Sequence, residues 1–135
     1  MFVDACVIIS LMAGEHTAAA YEAELSQADA PFTSPLAAWE AIIAMSRPDQ
    51  LDCPYTATET LVVAWLTERQ IELLESPSPR EVLSYAVAVA EEHGLGKRHL
   101  SNFDCFHYAH GMAAGASLLT LDQVLRETDA ETLPA

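Results

Sequence analysis

Positive charge is what this chain has least of. Its 135 residues carry six lysines and arginines (Arg47, Arg69, Arg80, Lys97, Arg98 and Arg126) against 20 aspartates and glutamates, a formal charge of −14. Phosphate recognition usually rests on lysine and arginine, so this balance argues against a broad basic surface for nucleic acid. It suits a basic protein partner better, and a bound metal ion would neutralise part of it. The rest serves as solvated surface. Cysteine is scarce as well. Cys6, Cys53 and Cys105 are odd in number and stand in unrelated contexts, which speaks against a disulfide framework and for a reduced, cytoplasmic setting. No apolar run is long enough to cross a bilayer, and no basic segment with a cleavage site opens the chain, so neither a membrane span nor an export signal is expected. Internal repeats and low-complexity tracts are missing too. A hydrophobic content of 51% excludes a disordered chain. These bounds leave a single folded domain over residues 1–135.

What is present is an alternation of short apolar segments with amphipathic ones. That pattern predicts an α/β fold with a mainly parallel sheet. Phe2-Val3 reads as the first strand, with a helix from Ala5 to about Ala13 springing directly from it, and Glu15–Gln27 reads as a second helix. Pro31–Thr33 is a short strand. Ser34-Pro35 then opens a helix that ends near Arg47-Pro48, serine serving as cap and proline as first helical residue. Pro48–Tyr55 is the most irregular stretch, a loop. Thr56 to Glu59 has capping-box spacing before a helix reaching Gln70, and Ser78 to Glu81 repeats it before a helix ending near His93-Gly94. Strands are expected at Ile71–Leu74, at Ser117–Leu121 and, on an edge, at Glu131–Leu133. Gly94–His99 reads as a flexible basic linker, Asn102–Gly115 as a helix, and a short helix runs through Glu127.

Four acids fall where such a fold would gather them. Asp4 ends the first strand, Asp122 follows the strand Ser117–Leu121, and both satisfy the rule that open α/β sheets place their sites at the carboxyl ends of strands. Asp104 joins them if its helix begins at the same rim. Each also suits a helix cap, and the segment from Ser101 to Asp104 has a capping-box-like pattern. Glu40 cannot be a cap. It lies mid-helix on a face with Leu36 and Ile43, where a carboxylate is costly unless paired or bound to a cation. Crowded carboxylates repel, so a shared site implies a cation among them. Hard Mg²⁺ or Mn²⁺ takes oxygen ligands and drives phosphoryl displacement. The arrangement points to a metal-dependent nuclease.

At these residues the chain resembles the PIN-domain ribonucleases, and within them the VapC-type toxins of bacterial toxin–antitoxin pairs. Met1 to Ile9 looks like the family's opening, with Asp4 as its first acid. Thr33-Ser34-Pro35-Leu36 followed by Glu40 looks like its second motif, Asn102 to Phe106 with Tyr108-Ala109 like its third, and Leu118 to Asp122 like its fourth. The resemblance implies a three-layer α/β/α sandwich and an Mg²⁺- or Mn²⁺-dependent endoribonuclease that cleaves RNA as the toxin of a type II pair. It also implies a cognate basic antitoxin and a homodimer. Asp4 and Asp104 would bind metal directly, with Glu40 and Asp122 completing the catalytic set. Cys6 stands where the family usually has serine or threonine, and Gln123-Val124-Leu125 lacks the acid or aromatic residue often found after the fourth motif. Lys97 and Arg98 are the nearest basic candidates for an RNA face.

Other readings compete. A haloacid-dehalogenase site wants an aspartate two residues beyond Asp4, where Cys6 stands, and a receiver domain wants acids clustered after the first strand. The stronger rival is a catalytically weak PIN-like domain acting mainly as a partner-binding module. His107 and His110, with His99 and Cys105, match no strong zinc motif; histidines beside the site or packed against it fit better. Cys105 reads as a small buried residue, Trp39 and Trp65 as core or dimer contacts, and Arg47 and Arg69 as helix-dipole partners.

Overall fold

Phe2 and Val3 lose all contact with solvent, and the strand they form, β1 (Phe2–Val3), is the middle of a five-stranded sheet. The computed structural model describes residues 1–135. Around β1 stand β2 (Phe32–Thr33), β3 (Glu72–Leu73), β4 (Leu118–Leu119) and β5 (Thr132–Leu133), in the order β3-β2-β1-β4-β5. Every pairing is parallel, with Phe2 opposite Phe32 on one side and Leu118 on the other. A strand buried on both sides can be apolar throughout, which is why β1 and β4 read as continuous runs. The expected final edge strand is present as β5.

The helices are α1 (Ala5–Ala13), α2 (Ala18–Leu25), α3 (Pro35–Met45), α4 (Tyr55–Glu68), α5 (Pro79–His93) and α6 (Asn102–Ala113). They pack α1 against α2 and α3, α3 against α4, and α5 against α6, giving the expected α/β/α sandwich. Local rules explain most boundaries. Ser34 accepts from Ala37 N at 3.1 Å with Pro35 at the first helical position, and Ser101 accepts from Asp104 N at 3.1 Å. Gly14 ends α1 at φ 68°, a left-handed turn that costs glycine nothing.

Four expectations need correction. Helix α4 begins at Tyr55 after Pro54, and Thr56 is not its cap; the second threonine of that pattern, Thr58, is buried and bonded to Ser46 and Cys53. Ser78 stands at the N-cap of α5 but its hydroxyl makes no cap bond. Helix α2 is shorter than expected, because residues 15–17 form a turn in which Thr17 bonds the buried Ser10 hydroxyl at 2.7 Å. Trp39 is 48% exposed, so it is no core residue. No helix is long and apolar enough to cross a membrane.

The approach of α6 to β4 depends on a missing side chain. A Cβ on Gly111 would lie 2.2 Å from Leu118 Cδ2, and Leu118 is itself core. Gly111→Ala is therefore expected to destabilise the fold by about 1–3 kcal/mol through overpacking. Urea unfolding checks this, and an unchanged midpoint would mean the contact yields freely.

Candidate metal centre

In this strand order the chain runs outward from β1 through β2 to β3, then returns to place β4 on the other side of β1. The crevice between the carboxyl ends of β1 and β4 is thus the topological switch point, where parallel sheets bind ligands. Asp4 follows β1 and Asp122 lies three residues past β4. The sequence placed both there, and the fold agrees.

Asp4 is 4% exposed. It occupies the N-cap of α1 yet its side chain makes no cap bond, which rules out a helix cap as its role. Its Oδ2 accepts instead from the Thr120 hydroxyl at 2.7 Å and the Cys6 thiol at 3.1 Å. The cysteine at the usual serine or threonine position therefore still donates, weakly. Burial first, then the charge of Asp4, pushes the Cys6 thiol far above its ordinary range, so it keeps its proton. Tyr21 backs this layer. Its hydroxyl lies 3.4 Å from Cys6 and accepts from Leu121 N at 3.0 Å, tying α2 to the segment after β4. Both bonds to Asp4 engage Oδ2, which leaves Oδ1 without a hydrogen bond on the side of His107.

Asp104 opens α6 with its backbone N–H on Ser101, so the cap is the serine and the aspartate side chain is free for other work. Desolvation chiefly, with the Asp4 and Asp122 charges adding, raises its carboxyl to about 6 against the pull of Ser101 and His107. One oxygen each of Asp4 and Asp104, with a ring nitrogen of His107, lie within 4.8 Å of one another. His107 is fully buried. Its Nε2 is 3.9 Å from Asp4 Oδ1 and 2.6 Å from Glu40 Oε2. Burial would lower the imidazole, but the bond to Glu40 and the surrounding carboxylates outweigh it and raise it.

Glu40 does not point into an apolar interior as its helical face suggested. Ala37 and Ala41 fill the buried side of α3; the Glu40 side chain is 31% exposed and turned toward His107. Asp122 keeps its cap reading: Oδ1 accepts from Val124 N and Leu125 N, each at 2.9 Å, and so starts the 3₁₀ turn Leu125–Glu127. Its charge still reaches Asp104. The structure thus brings Asp4 and Asp104 together, attaches Glu40 through His107, and sets Asp122 near enough to be felt. His107 stands beside the site, as expected of a histidine there. It lies three residues past Asp104, one helical turn along the same face, which was the signal in the sequence. His99, His110 and Cys105 do not join the cluster, and Cys105 is a buried thiol raised by desolvation.

The donor set fits a hard divalent ion. Desolvation first, then the charge of Asp4, holds the Asp104 carboxyl up at about 6, and a cation between the two aspartates would remove that cost. Few positive charges compete for them. Arg98 is 2.6 Å from Glu127, Arg69 pairs with Glu22 and lies over Trp65, and Arg47 bonds the α3 carbonyl of Ala44 at 3.1 Å. The largest cavity, about 520 Å³, lies elsewhere, between the start of α3 and helices α5 and α6, and none of the four acids lines it.

Fold and acids together define an α/β/α protein with a carboxylate site at its switch point. The model of the PIN domain family matches residues 1–131, and the chain belongs to that family. PIN domains are generally nucleases. Among solved structures, VapBC-1 from nontypeable Haemophilus influenzae is similar at 20% identity, with a TM-score of 0.71 over 97% of this chain and 94% of that one, a likeness of fold. No curated protein matches the chain in sequence.

Proposed function

We propose that this chain is a VapC-type toxin: a metal-dependent endoribonuclease, built as a single PIN unit over residues 1–135, that acts on RNA in the cytoplasm. The observation that carries the reading is the convergence of Asp4 and Asp104 at the switch point of a PIN fold, with Asp104 raised to about 6 by desolvation and by the charge of Asp4. The fold likeness to VapBC-1 supports the toxin assignment.

In this reading Asp4 and Asp104 hold Mg²⁺ or Mn²⁺, with Glu40 and Asp122 completing the catalytic set. When bound, such an ion supplies an acidified water and stabilises charge developing on a phosphodiester. The residues of the chain do the positioning. Thr120 and Cys6 fix Asp4 through Oδ2 and leave Oδ1 without a hydrogen bond. Ser101 sets the first turn of α6 and with it Asp104. Lys97 and Arg98 stand in the segment before α6, and Lys97, which forms no ion pair, would be a contact for the RNA backbone. The test is cleavage by purified protein: activity lost in EDTA and restored by Mg²⁺ or Mn²⁺ is expected. Undiminished cleavage in chelator contradicts the metal reading, and no cleavage under any metal favours the partner-binding module, which the shortage of basic residues recommends.

The partner is a basic antitoxin. A charge of −14 draws such a segment in and speeds its association. An arginine placed among the acids would hold two carboxylate oxygens at once and compete with the metal for them. Titrating a basic partner peptide into Mn²⁺-loaded protein is expected to inhibit and to release the ion together, and the same peptide with arginines changed to alanine is expected to do neither. Equal inhibition by both peptides contradicts this. The exposed edge-on pair of Trp39 and Phe103, ring centroids 5.7 Å apart, supports a homodimer contact on this face.

A further inference from the structure

We infer that His107 is a positioning residue that holds Glu40 over the acidic pocket through Nε2–H, and is not itself a ligand of the cation. The inference rests on the reading of Asp4 and Asp104 as a cation site. Distance alone would favour the opposite view, since His107 shares the cluster with both aspartates. The position of its proton decides between them.

To ligate through Nε2, a neutral imidazole must carry its proton on Nδ1. Ligating histidines give that second N–H to a carboxylate, a carbonyl or a water. His107 Nδ1 is buried and has no hydrogen-bond partner. The Phe2 ring lies against the imidazole, centroids 5.8 Å apart. A buried N–H without an acceptor forfeits a whole hydrogen bond, and such orphans are the rarer kind in folded proteins. On Nε2 the proton meets Glu40 Oε2 at 2.6 Å. The imidazolium form carries a proton on Nε2 as well, so the donor is the same in either charge state. Proton placement and burial therefore agree on one role.

That role joins two helices. His107 is the sole hydrogen-bond partner of the Glu40 carboxylate, and Glu40 reaches it from α3, 67 residues away. His107 sits on α6, one turn beyond Asp104. The helix that carries Asp104 thereby also sets where the Glu40 carboxylate stands. The pocket is left to oxygen donors, which suits Mg²⁺ as well as Mn²⁺.

Two measurements test this. In metal-free wild-type protein with ¹⁵N-labelled histidine, long-range ¹⁵N–¹H correlation is expected to place the His107 proton on Nε2. A proton found on Nδ1 alone overturns the inference. In Mn²⁺ titrations, His107→Gln offers an amide donor near the Nε2 position, and His107→Leu offers none. The glutamine variant is expected to keep Mn²⁺ affinity within about threefold of wild type, and the leucine variant to lose roughly tenfold or more. Equal loss in both variants overturns it, because the amide donor would then have restored nothing. Failure of the wild-type protein to bind Mn²⁺ sinks the metal-centre reading instead, and the proton position then judges His107 by itself.

Discussion

Replacing Asp104 by asparagine is expected to cut RNA cleavage by about a thousandfold or more while making the metal-free protein more stable, a pairing that few substitutions produce. In the proposed reading the loss follows from removing a carboxylate that would hold the cation, whose charge stabilisation is worth several kcal/mol, or about three powers of ten in rate. The gain follows from the crowding of the site. The Asp104 carboxyl is raised from 3.8 to about 6, chiefly by desolvation and by Asp4. Its folded form thus binds a proton more tightly than its unfolded form. Stability from this group is present below pH 4, falls as pH rises toward 6, and is absent above that. The rise corresponds to roughly 3 kcal/mol before screening. Partial exposure of the side chain reduces this to about 1–2 kcal/mol, which asparagine should recover at pH 7. His107, raised by Glu40 and its neighbours, adds a loss of the same sign as pH climbs past its own range. Urea unfolding in EDTA at pH 5 and pH 7.5, on wild type and variant, reads the difference. Equal pH dependence in both would mean Asp104 is not the strained group. Asp4→Asn should abolish cleavage as well with the fold intact, and cleavage surviving both changes contradicts the site.

Saturation with Mn²⁺ or Mg²⁺ is expected to stabilise the wild-type fold by about 2.7 kcal/mol at a hundredfold excess over Kd, roughly 10 °C in Tm for a domain of this size. In the proposed reading the ion would bind only the folded state, because only there do Asp4 and Asp104 come within reach of one another. It also removes the reason for Asp104 to hold a proton, so the fall in stability with pH should flatten in metal. The Asp4→Asn, Asp104→Asn double variant should show neither effect. A wild-type melting curve indifferent to millimolar metal would contradict the preformed site.

Much of the fold was legible because each clue was local. The apolar runs at Phe2-Val3 and Leu118-Leu119 mark the central strands, and Ser34-Pro35 and Ser101 mark helix starts whose cap bonds are present. Asp4 and Asp122 were legible for the same reason, as residues just past strands. What failed depended on partners distant in sequence. The Thr56–Glu59 pattern imitates a capping box, but Thr58 is claimed by Ser46 on α3's end and Cys53. Glu40 was recognised as anomalous on its helix, yet its partner lay far along the chain. His107 was expected beside the site or packed against it, with no partner named. It is indeed buried, and its functional bond forms only when α3 brings Glu40 to it.

The central claim is that Asp4 and Asp104 together hold a divalent cation. Anomalous diffraction from crystals of the wild-type protein soaked in Mn²⁺ tests it most directly. The expected result is a manganese peak in contact with carboxylate oxygens of both Asp4 and Asp104. A map with no peak between them, from crystals of protein that cleaves RNA, would contradict it.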